Sequence, residues 1–307
     1  MENIVEAKNL SKQYHNCTAL SQVNLTVKRG EIYGLVGANG AGKTTFLKLL
    51  AGHIFPTGGE LTLFGAHEQR AQEKQRKRTG VIIETPGFVP NLTIAQNMEY
   101  YRLQKGIPGN KVIEDTLKAV GLWEMREKEG KTLSLGMKQR LGLAIALMGE
   151  PELLLLDEPI NGLDPGGIIE MRNLLKKLNL EKNMTIIISS HILSELEQLA
   201  TVYGFLDKGR IKEQLSAKEL HEKCGDYLEI AVTDAAGYAV LLEKKLQHSN
   251  YLVLADNVVR IYDLEHDVEG YSALAGENGM GIRSMNLKQN SLEEYYMHII
   301  KGEQDNA

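Results

Sequence analysis

Cysteine is scarce: Cys17 and Cys224 are the only two in 307 residues. They lie far apart and without metal-ligand spacing, which excludes a disulfide scaffold and points to a reducing compartment with ordinary packing roles for both thiols. No apolar run approaches the ~18 residues that cross a bilayer. The longest, Leu141 to Met148, is broken at Gly142 and flanked by Arg140 and Glu150. Met1-Glu2-Asn3 lacks the basic region and apolar stretch of a secretory signal, so the expected location is cytoplasmic. Internal repeats and low-complexity segments are also missing. What is present is ordinary for a globular protein, 43% hydrophobic and 24% charged residues, in a chain long enough for about two domains.

Charge divides the chain. Beyond Ser216, 16 acidic residues face 8 basic ones, a net of −8 against −5 for the whole chain and hence +3 before that point. An acidic final third is a poor surface for phosphate backbones, so no nucleic-acid partner is expected. The shift sets the expected domains at 1–215 and 216–307.

The first segment reads as α/β. Strand candidates are Val23 to Val27, Glu31 to Val36, Leu61 to Phe64, Val81 to Ile83, Leu153 to Leu156, Met184 to Ile188 and Val202 to Leu206. Three of them are continuous apolar runs, as in a parallel sheet buried on both faces. Helical spacing joins Ile113, Leu117 and Val120, and again Leu193, Leu196 and Leu199. The final segment reads βαββαβ: Tyr227 to Val232, Ala235 to Leu246, Tyr251 to Leu254, a turn at Asp256-Asn257, Val258 to Tyr262, Asp267 to Ala275 and Gly281 to Leu287. That order fits a small α+β, ferredoxin-like domain. A last helix is expected from Ser291, with Ser291 and Glu294 as a capping box. The basic stretch Arg70 to Arg78 is interrupted by Glu73 and reads as a solvated helix face. Seven of the twelve tyrosines lie beyond Ser216 and read as core and interface residues.

The chemistry concentrates in three places. Gly37-Ala38-Asn39-Gly40-Ala41-Gly42-Lys43-Thr44 follows a strand and opens a helix with Thr45, the context of a phosphate-binding P-loop. Its glycines turn backbone amides toward a nucleotide's phosphates, Lys43 adds a point charge, and the Thr44 hydroxyl suits Mg²⁺. The apolar run Leu153 to Leu156 ends in Asp157-Glu158: the first carboxylate is placed for a metal ion, the second for an attacking water. His191 ends another apolar run, where it would reach a γ-phosphate as a hydrogen-bond donor.

Together these pieces, in order and spacing over roughly residues 3 to 213, resemble the ATP-binding subunits of the ABC transporter superfamily. The resemblance implies a P-loop ATPase domain with a helical signature subdomain. It casts Tyr14 as the aromatic that stacks on adenine, Gly37 to Thr44 as the Walker A loop, Leu153 to Asp157 as Walker B and Glu158 as the catalytic glutamate. Asn161 to Asp164 stand at the D-loop, His191 is the switch histidine, and Leu133-Ser134-Leu135-Gly136-Met137 stand at the signature. ATP and Mg²⁺ are the implied ligands. Ser134 and Gly136 stand at the start of an expected helix, Leu135 to Leu147, whose N-terminal amides make a second anion site. One triphosphate does not need two such sites in one chain, so a head-to-tail homodimer is expected, with each ATP clamped by the P-loop of one copy and the signature helix of the other. The missing membrane span implies a separate integral-membrane permease, with the ATPase peripheral on the inner face of the cell membrane.

Three positions depart from the family pattern. Leu135 and Met137 replace Gly and Gln of Leu-Ser-Gly-Gly-Gln. Glu84 replaces a glutamine that supplies an oxygen to Mg²⁺ or water, and Asn161-Gly162 replace a commoner Ser-Ala. Glu84 and the run Ser134 to Arg140 are similar to the bacitracin and lantibiotic self-protection branch, which implies export of an antimicrobial peptide or other hydrophobic compound. The alternative is a soluble ATP-gated clamp on nucleic acid or ribosomes. Superfamily members of that kind carry coiled-coil insertions or two ATPase halves, and this chain has neither.

Overall fold

The computed structural model describes residues 2–289 and 292–301, and the chain forms two compact units, Met1–Ala217 and Lys218–Ala307. Among the described residues no helix is long and apolar enough to cross a membrane.

The first unit opens with β1 (Asn3–Tyr14), β2 (Cys17–Lys28) and β3 (Ile32–Val36), then α1 (Lys43–Ala51), β4 (Gly58–Leu63), α2 (Gln69–Gln75) and β5 (Thr79–Ile82). A helical stretch follows: α3 (Ile94–Gln104), α4 (Lys111–Ala119) and α5 (Leu135–Leu147). The chain then alternates through β6 (Leu153–Asp157), α6 (Pro165–Lys182), β7 (Thr185–Ser190), α7 (Leu193–Glu197), β8 (Val202–Asp207) and β9 (Arg210–Ser216). The main sheet has the order β5-β6-β7-β3-β8-β9, and β1 joins β2 and β4 in a second, antiparallel sheet. Pairing in the main sheet is parallel up to β8 and antiparallel between β8 and β9. Every residue of β3, β6 and β7 is buried, which is why each carries a continuous apolar stretch rather than an alternation, with polar residues only at the strand ends of β6 and β7. Phe46, Leu47 and Leu50 of α1 join Leu10 and Val23 of the antiparallel sheet to Leu35, Leu155 and Ile187 of the main sheet in one core.

The second unit runs α8 (Ala217–Cys224), β10 (Asp226–Val232), α9 (Ala235–Lys245), β11 (Tyr251–Leu254), β12 (Val258–Ile261), α10 (Val268–Glu277), β13 (Ile282–Gln289) and α11 (Leu292–Lys301). Its antiparallel sheet has the order β11-β12-β10-β13. Counting strands within the unit, this is 2-3-1-4, the ferredoxin-like arrangement. Asp234 and Asp267 cap α9 and α10 by accepting from Gly237 N–H and Gly270 N–H. Tyr238 and Tyr271 fill the core between these helices and Leu228, Ile230 and Val259 of the sheet.

Several expectations change. β1 and β9 were not anticipated: their residues mix polar and apolar side chains with breaks in register, so neither shows a clean period. The helix expected over Leu193 to Leu199 stops at Glu197, although Leu196 and Leu199 are buried. Cys17 is exposed rather than packed. The stretch Arg70 to Arg78 is not simply solvated. Arg76 Nε donates to Leu50 O at 3.1 Å, and Arg78 lies 4.0 Å from the Phe64 ring centroid while binding Glu152. Ser291, the expected cap of the last helix, lies outside the described residues.

Candidate nucleotide site

The P-loop is the turn between β3 and α1, and its shape depends on glycine. A Cβ on Gly37 would stand 2.4 Å from Leu206 O, and one on Gly42 would stand 2.6 Å from Ala19 O at a φ of +112°. No side chain caps α1, so its first-turn amides and positive dipole end face the loop. Asn39 and Gly40 are exposed at the tip, Ala41 is buried, and Thr44 and Thr45 are half-buried. Lys43 is buried and donates from Nζ to Gly37 O at 2.6 Å and Ala38 O at 3.3 Å. The loop is thus folded round its own lysine, whose charge also stands 3.5 Å from Glu158 Oε1.

β6 delivers two carboxylates with different surroundings. Asp157 is 5% exposed. Its Oδ2 accepts from Thr44 Oγ1 at 2.8 Å and its Oδ1 from Ser189 Oγ at 2.6 Å. Burial of an ionised carboxylate needs such donors. Glu158 leaves the strand at a φ of +50°, a left-handed conformation that a non-glycine residue holds only against a cost of about 1–3 kcal/mol. Its amide donates to Ser189 Oγ at 3.0 Å. Glu158 Oε2 lies 2.7 Å from His191 Nδ1 and accepts from His191 N–H at 3.3 Å. Lys43, Glu158 and His191 therefore converge from three elements. Thr44 and Asp157 meet beside them.

Glu84 takes a φ of +67° after β5. Lys48 Nζ of α1 donates to its Oε1 at 2.5 Å. That hydrogen bond, with the lysine's charge, holds the Glu84 carboxyl below its ordinary range. The structure pairs Glu84 with Lys48, and it records no contact from Glu84 to Thr44 or Asp157. Tyr14 ends β1, 40% exposed, with Lys12 Nζ 5.0 Å from its ring centroid.

Ser134, Gly136 and Asp164 belong to another place. Ser134 Oγ caps α5 by accepting from Met137 N–H at 3.3 Å. Asp164 precedes α6, whose first residue is Pro165. The three line a cleft of about 560 Å³ with Leu135, Gly162 and Arg140, and no residue of the P-loop lines it. Within one chain the N-terminus of α5 opens into a different place from the P-loop at the N-terminus of α1.

Sequence reasoning missed Ser189 and Lys48. Ser189 sits opposite Asp157 in the β6–β7 register. Nothing in the local sequence announces which strand neighbours Walker B.

The ABC transporter family model matches residues 20–161. A bacitracin transport ATP-binding protein of Enterococcus faecalis, BcrA, is 43% identical over 302 residues, 98% of each chain. A lantibiotic transport ATP-binding protein of Streptococcus pyogenes, SrtF, is 41% identical over 71% of this chain and 95% of its own length. Among solved structures, the dimeric ATP-binding cassette MJ0796 bound to ADP and Pi superposes with a TM-score of 0.63 at 27% identity, covering 69% of this chain and 98% of that one. With the P-loop, the Asp157-Glu158 strand end and the capped signature helix in one fold, the chain belongs to the ATP-binding subunits of ABC transporters, and its activity is ATP hydrolysis coupled to transport.

Proposed function

We propose that this ATPase energises export of bacitracin or a related antimicrobial peptide. It works as a head-to-tail homodimer docked on an integral-membrane permease at the cytoplasmic face of the membrane. The observation that carries the reading is the reach of the similarity. The bacitracin transport subunit aligns through 98% of both chains, second unit included, whereas the lantibiotic subunit has used 95% of its own length at 222 residues. The accessory α+β domain, 216–307, thus accompanies the bacitracin relative.

In this reading Tyr14 stacks on adenine, and the amides from Gly37 to Thr45, among them those of Asn39, Gly40, Ala41 and Gly42, cradle the phosphates. Lys43 gives up its contacts to Gly37 O and Ala38 O for the β- and γ-phosphates. A hydroxyl and a buried carboxylate already in contact at 2.8 Å are the hard oxygen donors that Mg²⁺ takes beside substrate phosphates. Thr44 and Asp157 would hold the ion, with Glu84 a further oxygen at its edge. Bound there, Mg²⁺ supplies Lewis-acid neutralisation of phosphoryl charge. Glu158 orients the attacking water and takes its proton as the bond to the leaving ADP breaks. His191, fixed by Glu158, donates to the γ-phosphate. Ser134, Gly136 and Asp164 come from the other copy, in keeping with their separation from the P-loop within one chain. ATP then favours the closed dimer, and loss of the γ-phosphate reopens it. The permease docks beside Glu84 and the exposed Tyr100.

Glu158→Gln tests both halves of the reading. Co-expressed with its permease in bacitracin-sensitive cells, the parent chain should raise the inhibitory concentration of bacitracin and the variant should not. The purified variant should run as a dimer on gel filtration with ATP and as a monomer without it. A variant that stays monomeric at saturating ATP removes the shared site, and unchanged sensitivity with the parent complex removes the cargo.

A further inference from the structure

Two of the three departures from the family pattern meet in space. Leu135, the residue after the Ser134 cap, is 45% exposed, yet its Cδ2 reaches Gly162 so closely that a Cβ there would stand 3.0 Å away. Gly162 also holds a φ of +76°. Glycine meets both constraints at the least cost: a side chain there would press on the tip of Leu135 and hold a left-handed backbone. One residue further along each segment, Leu163 Cδ2 comes within 3.7 Å of where a Cβ on Gly136 would be. A turn of helix later, Arg140 of α5 forms an ion pair with Glu170 of α6. The bulky signature residue and the small D-loop residue are thus complementary, and they tie the N-terminus of α5 to the loop that enters α6.

We propose that Leu135 and Gly162 form a latch that makes the signature helix and the D-loop of one subunit a single rigid face. They are positioning residues. The latch holds Ser134 and Asp164, which line the same cleft, at a constant spacing, so that both meet the partner copy's nucleotide together. This rests on the shared-site reading above.

A double-mutant cycle on the full-length chain tests it: L135A, G162A and the combination, with kcat and KM for ATP measured for each. The backbone strain of alanine at position 162 is common to both backgrounds, so the cycle isolates the contact. G162A should lower kcat by about tenfold in the parent but only by about twofold in the L135A background, a coupling of about fivefold. L135A alone should lower kcat by about threefold, leaving KM and the binding of a fluorescent ATP analogue to the monomer unchanged. A general loss of structure would move all of these together. Equal cost of G162A in both backgrounds overturns the latch. Should G162A fail to fold, L135A decides the matter, and a parental kcat overturns the proposal. Failure of the shared site shows separately, as an E158Q chain that stays monomeric with ATP, and the kcat cycle still judges the latch.

Discussion

Ser189→Ala is the most discriminating test of how the site is built. The hydroxyl is fully buried. It donates to Asp157 Oδ1 at 2.6 Å and accepts from Glu158 N–H at 3.0 Å. Deleting it leaves no orphaned amide, because Glu158 N–H keeps the Ser189 carbonyl at 3.2 Å. The loss falls on the Asp157 carboxylate, which is left with Thr44 as its remaining hydroxyl donor. A hydrogen bond to a buried charge is worth about 1.5–3 kcal/mol. Two effects follow. The first unit should melt lower by roughly 3–12 °C, at about 2–4 °C per kcal/mol for a unit of its size. The Asp157-Glu158 pair, already at a strained turn, should lose its alignment, and kcat should fall by about 10- to 100-fold. KM for ATP should change by less than about threefold, since Lys43 and the P-loop are untouched. Phosphate release at saturating Mg-ATP and thermal unfolding measure these together. A folded variant with kcat within about twofold of the parent would refute the idea that Ser189 holds the two carboxylates in register.

Glu84→Gln should keep most of the ATPase rate, because an oxygen remains at that position, whereas Glu84→Ala should lose about tenfold; equal rates for all three proteins would place residue 84 outside the site. Acid stability depends on Glu152, whose carboxyl is pushed down to about 2, chiefly by hydrogen bonds from Arg78 and then from Arg29. Its folded value lies below the unfolded one, so its contribution is complete above about 4.5 and disappears as the pH falls toward 2. Since Glu152 is 37% exposed, solvent screening limits that contribution to about 1 kcal/mol. Glu152→Gln should therefore lower the melting temperature at pH 7 and converge on the parent near pH 2; a constant difference across the range would exclude this origin.

Much of this molecule is written locally. A P-loop is a run of eight residues whose glycines, lysine and threonine act within one turn of chain. The α5 cap likewise spans four residues, Ser134 to Met137, so Ser134 and the limits of α5, Leu135–Leu147, follow from sequence alone. The fully buried strands announce themselves because the middle of a strand covered on both faces is apolar at every position, not at every second one. The order βαββαβ in the second unit is legible for the same reason: its periods are short and its turns carry their own residues.

The pairs that complete the site are not local. Ser189 reaches Asp157 because β6 and β7 are neighbours in that register, and Lys48 reaches Glu84 because α1 lies beside the end of β5. Leu135 and Gly162 read as two unrelated oddities until α5 and the loop before α6 are brought side by side. Arg76 and Arg78 look like a solvated charge run, and only packing against Leu50, Phe64 and Glu152 makes them structural. Sequence by itself determined which chemistry the chain carries, because each phosphate-binding element is a short backbone conformation with its own residue requirements. Tertiary structure alone decided which groups hold those elements in place, because sheet order and helix packing join side chains that no sequence period connects.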